Sequence, residues 1–227
     1  MKKSNEQVIK WLEREFLSVD QLSKTKVKDS NEELVDLNKT DSFIILSPQE
    51  NNLKYTGKTI FVRLEVAKKL KNINKRFLKN GLALKVTDGY RPIEVQKEYW
   101  QWHMERSKKK FPKLSKKKLE SVTLKFCAKP ELAYHTTGGA VDTTIVNLKT
   151  DKELPMGTKI DQFSHKAYTY YPYLSKKILL NRQMLYQEMG KEGFYNFPSE
   201  WWHFSYGTRD WALYYRQSYA IYDVIKL

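Results

Sequence analysis

Longer apolar stretches with a helical period and short ones with the character of strands are interspersed along this chain without regular alternation. That irregular mixture is the strongest constraint on the fold. It points to an α+β architecture, a single domain with helices packed on a central, mainly antiparallel sheet. Leu64 to Asn80 places Val66, Leu70, Ile73 and Phe77 on one helical face, and Gly81 stands where the helix should end. Leu82 to Val86 is a short apolar run with a β-branched end and reads as a strand. Asp88-Gly89-Tyr90-Arg91-Pro92 makes a turn, with Pro92 placed to open the next helix, which carries Val95, Tyr99 and Trp102 on one face. Another helix is expected from about Ser115 to Ala128, through Leu119, Val122 and Phe126, with Cys127 as a buried helix residue. Ala140 to Val146 reads as a strand. Ser175 can cap a helix that runs through Ile178 and Leu185 to about Met189. Trp202 to Tyr206 reads as a final core strand.

Cys127 is the single cysteine, so no disulfide forms within the chain and stability must come from packing or from a metal. At 227 residues, roughly 70% of the unfolded surface can be buried. Val8, Leu12 and Phe16 recur at helical spacing, so Met1 to Ser18 reads as an amphipathic helix and not as a secretory signal. No apolar run approaches the roughly 20 residues of a membrane span, and the cytoplasm is the simplest location. The net charge of +15 raises nucleic acid as a partner. Eight of the thirteen residues from Arg106 to Lys118 are basic, but the stretch lacks the aromatic interleaving of a single-strand binder and any reading motif. Lysine also dominates, and lysine is the poorer base reader. A solvated connector between two helices is the expectation, and no nucleic-acid partner.

Of the four histidines, His103 lies in a helix beside Trp102 and His165 in a polar loop; each reads as structural or exposed. His135 begins the run His-Thr-Thr-Gly-Gly-Ala-Val-Asp, which ends at Asp142. Its two glycines permit a tight turn that brings the histidine and the aspartate together. His203 ends Glu200-Trp201-Trp202-His203, among bulky apolar residues that exclude water. His135, Asp142 and His203 would make a three-ligand zinc site with the fourth position open to water, and Glu200 could take a proton from that water. Separate His and Asp residues are more often satisfied polar groups, so these spacings alone leave both readings open.

Further stretches narrow the choice. Residues 133–142, Ala-Tyr-His-Thr-Thr-Gly-Gly-Ala-Val-Asp, resemble the Ser-x-His-x-x-Gly-x-Ala-x-Asp signature of the D-alanyl-D-alanine dipeptidases, the vancomycin-resistance type grouped with zinc D-Ala-D-Ala carboxypeptidases. Residues 199–204 resemble that family's Glu-x-x-His block, and residues 88–92 its Asp-Gly-Tyr-Arg-Pro turn. Met156-Gly157-Thr158 with Asp161 resembles its Met-Gly-Thr segment with a downstream aspartate. Asn51-Asn52 with Thr56-Gly57 looks like a modified Asn-Phe-Thr-Gly segment. The blocks occur in the family's order across about residues 33 to 210.

The resemblance implies one zinc per chain, held by His135, Asp142 and His203. It implies Glu200 as general base and then acid, Arg91 as the stabiliser of the oxyanion, and Asp161 as the carboxylate that receives a dipeptide's free amino group. It implies residues 33–227 as the dipeptidase domain, with residues 1–32 an N-terminal helical extension and the zinc site at the sheet. The expected activity is hydrolysis of D-Ala-D-Ala or a similar small dipeptide; the alternative is a D,D-carboxypeptidase or endopeptidase acting on larger cell-wall peptides. Two departures touch substrate binding. Ala133 stands where the family has a serine that helps hold the substrate's carboxylate, and no counterpart of an upstream tyrosine appears near Leu46-Ser47-Pro48. The number of subunits is not fixed by the sequence.

Overall fold

The computed structural model describes residues 5–40, 44–124 and 127–225. Its elements run, in chain order, α1 (Asn5–Leu12), α2 (Val19–Lys24), β1 (Leu34–Asp36), α3 (Leu37–Thr40), β2 (Ile45–Leu46), α4 (Glu50–Thr56), β3 (Phe61–Arg63) and α5 (Leu64–Leu78). They continue with β4 (Leu82–Asp88), α6 (Ile93–Lys110), α7 (Lys116–Thr123), β5 (Ala140–Asn147), β6 (Lys152–Glu153), α8 (Lys176–Lys191), β7 (Tyr195–Asn196), β8 (His203–Ser205) and α9 (Arg209–Tyr214).

The main sheet has the order β2-β4-β5-β8-β7, with β6 also pairing with β5. All these pairings are antiparallel except β2 with β4. The α+β expectation with a mainly antiparallel sheet therefore holds. One sheet face is the core. Leu84, Val86, Val141, Ile145 and Phe204 pack there against Val66, Leu70, Ile73 and Phe77 of α5 and Leu185 and Met189 of α8. Each large side chain so buried contributes about 1.5–3 kcal/mol. Helix α5 ends as its glycine foretold: Gly81, at φ 68°, donates its N–H to Leu78 O at 3.1 Å.

The opposite face of the central strands carries the site, and sheet register explains how. Asp142 of β5 lies directly across from His203 of β8, so both side chains leave the same face. On the other side Val86 pairs with Thr143, but Asp88 pairs with Asp142; the register slips between them. This β-bulge turns Asp88 from the core face to the site face, which simple alternation would not give.

Two expectations need correction. Helix α6 does not bury Trp102, which is 54% exposed. It buries Val95, Gln96, His103 and Ser107 instead, because this helix lines the site cavity and not the main hydrophobic core. Helix α7 stops at Thr123, so Cys127 lies beyond it, half-buried and not helical; Phe126 falls outside the described residues. The basic residues 108–110 and 116–118 are exposed at the facing ends of α6 and α7. Among the described residues no helix is long and apolar enough to cross a membrane. The N-terminal helical pattern holds within its described part: Val8 and Leu12 of α1 are buried against Tyr168 and Tyr171, and Phe16 packs on the same cluster.

Candidate active site and metal centre

Gly138, at φ 72°, makes the left-handed turn that folds His135 back over the start of β5. Gly139 follows, where a Cβ would meet Tyr206 O at 2.5 Å. Arg63 braces the turn from below, its Nε donating to Thr137 O at 2.8 Å. The result brings together three residues far apart in sequence. His135 Nε2 lies 3.1 Å from His203 Nδ1 and 3.4 Å from Asp142 Oδ1, and His203 Nδ1 lies 3.0 Å from Asp142 Oδ1. All three residues are buried.

Zinc bonds of about 2.0–2.2 Å would set tetrahedral N and O ligand atoms roughly 3.2–3.6 Å apart, and this triangle is close to that size. The hydrogen bonding agrees. His135 Nδ1 sits 2.8 Å from Gly89 O, which assigns a proton to Nδ1 and, in the neutral imidazole, leaves Nε2 an acceptor aimed at the cluster. Two neutral imidazoles would then converge on the carboxylate with at most one proton between them. A cation between them removes that conflict, and the donor set suits zinc.

The protein's charges act on the cluster from every side. Burial alone would raise Asp142, but His135 and His203 hold it far below the usual carboxylate range. Burial opposes the charge on His135, but Asp142 and Asp88 outweigh it and push the imidazole up. Glu200, three residues before His203, is pushed well above the usual glutamate range by burial and then by Asp142 and Asp161. A dication at the cluster would draw it back towards ionisation.

Arg91 is locked in place. Its Nε donates to Asp88 Oδ2 at 3.2 Å, its Nη1 to Gln96 Oε1 at 2.8 Å, and its guanidinium lies 4.5 Å from the centre of the Tyr99 ring. Asp88 is fixed in turn by Asn52, whose Nδ2 donates to Oδ1 at 2.7 Å. Arg91, Glu200 and Asp161 line one cavity of about 350 Å³ with His135, Asp142 and His203. The sequence-derived site residues therefore meet at one place.

Asp161 sits at the cavity's solvent-open rim in a left-handed conformation, φ 61°. Incomplete hydration first, then Asp142, pushes its carboxyl up to about 7, an effect that solvent at the rim tempers. Its Oδ2 accepts from Gln49 Nε2 at 2.8 Å, and Gln49 Oε1 accepts from Tyr99 OH at 3.1 Å. The turn before it is braced by Trp201, whose Nε1 donates to Thr158 Oγ1 at 2.8 Å.

Sequence reasoning missed Gln49 and Tyr99, which stand in a hydrogen-bonded row beside Asp161. It also passed over His103, which is buried on the cavity wall and held neutral, down to about 4, by burial and then by Arg106 and Arg91. Cys127 lines the cavity too, its thiol pushed up to about 11 by burial, which leaves it a poor nucleophile.

The peptidase M15 family of D-Ala-D-Ala dipeptidases matches residues 46–225. The chain belongs to this family. Membership places this D-Ala-D-Ala dipeptidase relative among the zinc metallopeptidases. A D-alanyl-D-alanine dipeptidase of Enterococcus faecium is 26% identical over 145 residues, 62% of this chain and 70% of that one. One of Synechocystis is 31% identical over 102 residues, 40% of this chain and 41% of that one. Among solved structures, a mutant of the vancomycin-resistance D,D-pentapeptidase VanY in complex with Zn(II) aligns at TM-score 0.44 and 17% identity, over 71% of this chain and 82% of that one. The LD-carboxypeptidase LdcB aligns at TM-score 0.48 and 19% identity, over 82% and 73%.

Proposed function

We propose that this protein hydrolyses D-Ala-D-Ala or a similarly small dipeptide, with one zinc held by His135, Asp142 and His203. The observation that carries the reading is the convergence of that triangle with Glu200, Arg91 and Asp161 around one cavity of about 350 Å³, at the small end of ligand pockets. When bound, zinc supplies Lewis-acid polarisation of the scissile carbonyl and an acidified water. Glu200 would take a proton from the attacking water and return it to the leaving amine. Its elevated proton affinity suits the second duty as much as the dication suits the first. Arg91, kept charged by Asp88 despite burial, is pre-aimed to stabilise the developing oxyanion. Asp161 at the rim receives the substrate's ammonium.

One observation favours the second reading, cleavage of longer cell-wall peptides. A neighbouring cavity of about 540 Å³ shares His103, Arg106 and Phe163 with the first and gives a longer ligand somewhere to run. N-acetylation separates the two. Capping the amine of D-Ala-D-Ala leaves Asp161 facing no charge, which costs roughly a hundredfold or more in kcat/KM for a dipeptidase. That discrimination should shrink in Asp161→Ala. Equal cleavage of the free and acetylated dipeptides by wild type would overturn the dipeptidase reading.

A further inference from the structure

The catalytic cavity has two chemically different parts. One holds Arg91, Asp161, Tyr99 and His103. The other is apolar, built by Leu132, Ala133, Tyr134 and Phe197 together with Leu17, Val19 and Leu22. The last three lie in the N-terminal segment, outside residues 46–225 that the family matches. Part of the wall around the cluster therefore comes from outside the residues that the family matches.

This segment is held firmly enough to be a wall. Leu22 is only 7% exposed and packs with Tyr134 and Ala140, and Leu17 packs on the same cluster. Ser18 and Gln21 close a capping box: Ser18 Oγ accepts from Gln21 N at 3.2 Å, and Gln21 Oε1 accepts from Ser18 N at 2.9 Å. That fixes how Leu17 and Val19 enter the cavity. Downstream, Lys28 N donates to Ala220 O and Ala220 N to Lys26 O, both at 2.9 Å, and Arg209 donates to Thr25 O.

The apolar part also touches the metal cluster. The rings of Tyr134 and Phe197 lie 5.7 and 5.8 Å from the His203 ring. With the substrate's ammonium at Asp161 and its scissile carbonyl at the cluster, the leaving residue falls towards this apolar part. An alanine methyl cannot cover so many apolar side chains. We infer that the segment Leu17–Leu22 forms a specificity wall for the leaving residue, selecting a dipeptide whose second residue carries an apolar side chain larger than methyl. This rests on the dipeptidase reading above.

The test compares D-Ala-D-Leu with D-Ala-D-Ala on the zinc-loaded enzyme. Wild type should favour D-Ala-D-Leu by roughly tenfold or more in kcat/KM, the scale of a few added methylenes in an apolar pocket. The double variant Leu17→Asn, Val19→Thr makes the wall polar at positions only half-buried, and its ratio should collapse towards one with zinc content retained. A wild-type preference for D-Ala-D-Ala, or a ratio that survives in the double variant, would overturn the inference. Calorimetric binding of the two dipeptides to zinc-loaded Glu200→Gln gives a readout independent of turnover. If wild type cleaves neither dipeptide yet this variant binds D-Ala-D-Leu at least tenfold more tightly, the dipeptidase reading falls and the wall remains only as a binding preference for the second residue. Equal binding of the two removes the wall.

Discussion

In the proposed mechanism Glu200 has two opposing tasks, to give up a proton readily and to return it readily. Its surroundings favour return. In the zinc-free protein the native state keeps the Glu200 proton at pH values where the unfolded chain has released it. Stability drawn from that proton is complete below about pH 4.5 and is lost as pH rises towards the elevated folded value. Glu200→Gln carries no such proton. Chelator-treated Glu200→Gln should therefore gain on wild type as pH rises from 4.5, by up to about 1.4 kcal/mol per pH unit, read by denaturant unfolding. Zinc-loaded Glu200→Gln should keep its metal and lose about 10²–10⁴-fold in turnover. A variant with near-normal turnover would show another base at work.

Arg91 gives the matching test on the oxyanion side. Arg91→Lys keeps a charge but loses the fork that spans Asp88 and Gln96. Steady-state kinetics should show kcat falling roughly a hundredfold, well beyond any rise in KM. A change in KM alone would move Arg91 to substrate binding. At this scale the sequence was legible wherever chemistry constrains residue type: two histidines, two aspartates, a glutamate and an arginine in recognisable company. Gln49, Tyr99 and His103 were not legible. Their parts depend on contacts such as Gln49 to Asp161, 112 positions away, and no local pattern records such a contact.

At the scale of elements, backbone geometry helps to hold the site. Gly89 shows this most directly. Its φ is not positive, so glycine is not needed there for conformational freedom; it is needed for space. A Cβ would lie 2.5 Å from Phe61 O and 2.7 Å from Ile60 Cγ2. The same residue offers the carbonyl that orients His135. Gly89→Ala must push the turn away from β3 and so disturb the histidine's partner. Zinc affinity, measured by competition with a chromophoric chelator, should fall about 10–100-fold, as for other losses of a ligand's orienting partner. Unchanged affinity would mean that the turn adjusts without moving its carbonyl. The sequence announced α5, β4, β5 and α8 because periodicity and end signals agreed there. It misjudged α6, since apolar spacing identifies a face turned to the core and this helix turns Gln96 and His103 to a cavity. The β4 bulge left no trace either, because alternation carries no sign of a slipped register.

For the whole molecule, binding and folding are one equilibrium. The triangle exists only when strand β5, strand β8 and the His135 turn are assembled, so zinc bound there stabilises the folded state by mass action. Free zinc at a hundredfold above its Kd adds about 2.7 kcal/mol. Purified protein should carry about one zinc per chain. Chelation should lower the unfolding midpoint by several degrees, and His203→Ala should abolish both the bound metal and the metal-dependent part of that midpoint. Full zinc retention in that variant would remove the assignment. The single-domain α+β architecture was readable from the mixture of periodicities. The packing of α1 on Tyr168 and Tyr171 was not, because an amphipathic helix announces that it needs a partner without naming it.

The order of the three proposed ligands along the chain carries a consequence for synthesis. His135 and Asp142 leave the ribosome together, but His203 follows 61 positions after Asp142, once α8 and β7 have been made. Until then the nascent chain offers a metal only two of the three side chains. Strand β5 meanwhile lacks the neighbour that β8 provides along Ala140 to Asp142. The segment around Lys26 and Lys28 waits longer still, because both residues bond to Ala220. Metal capture and closure of the cavity are therefore late events in the birth of the molecule, and the half-made chain has no complete centre with which to cleave anything.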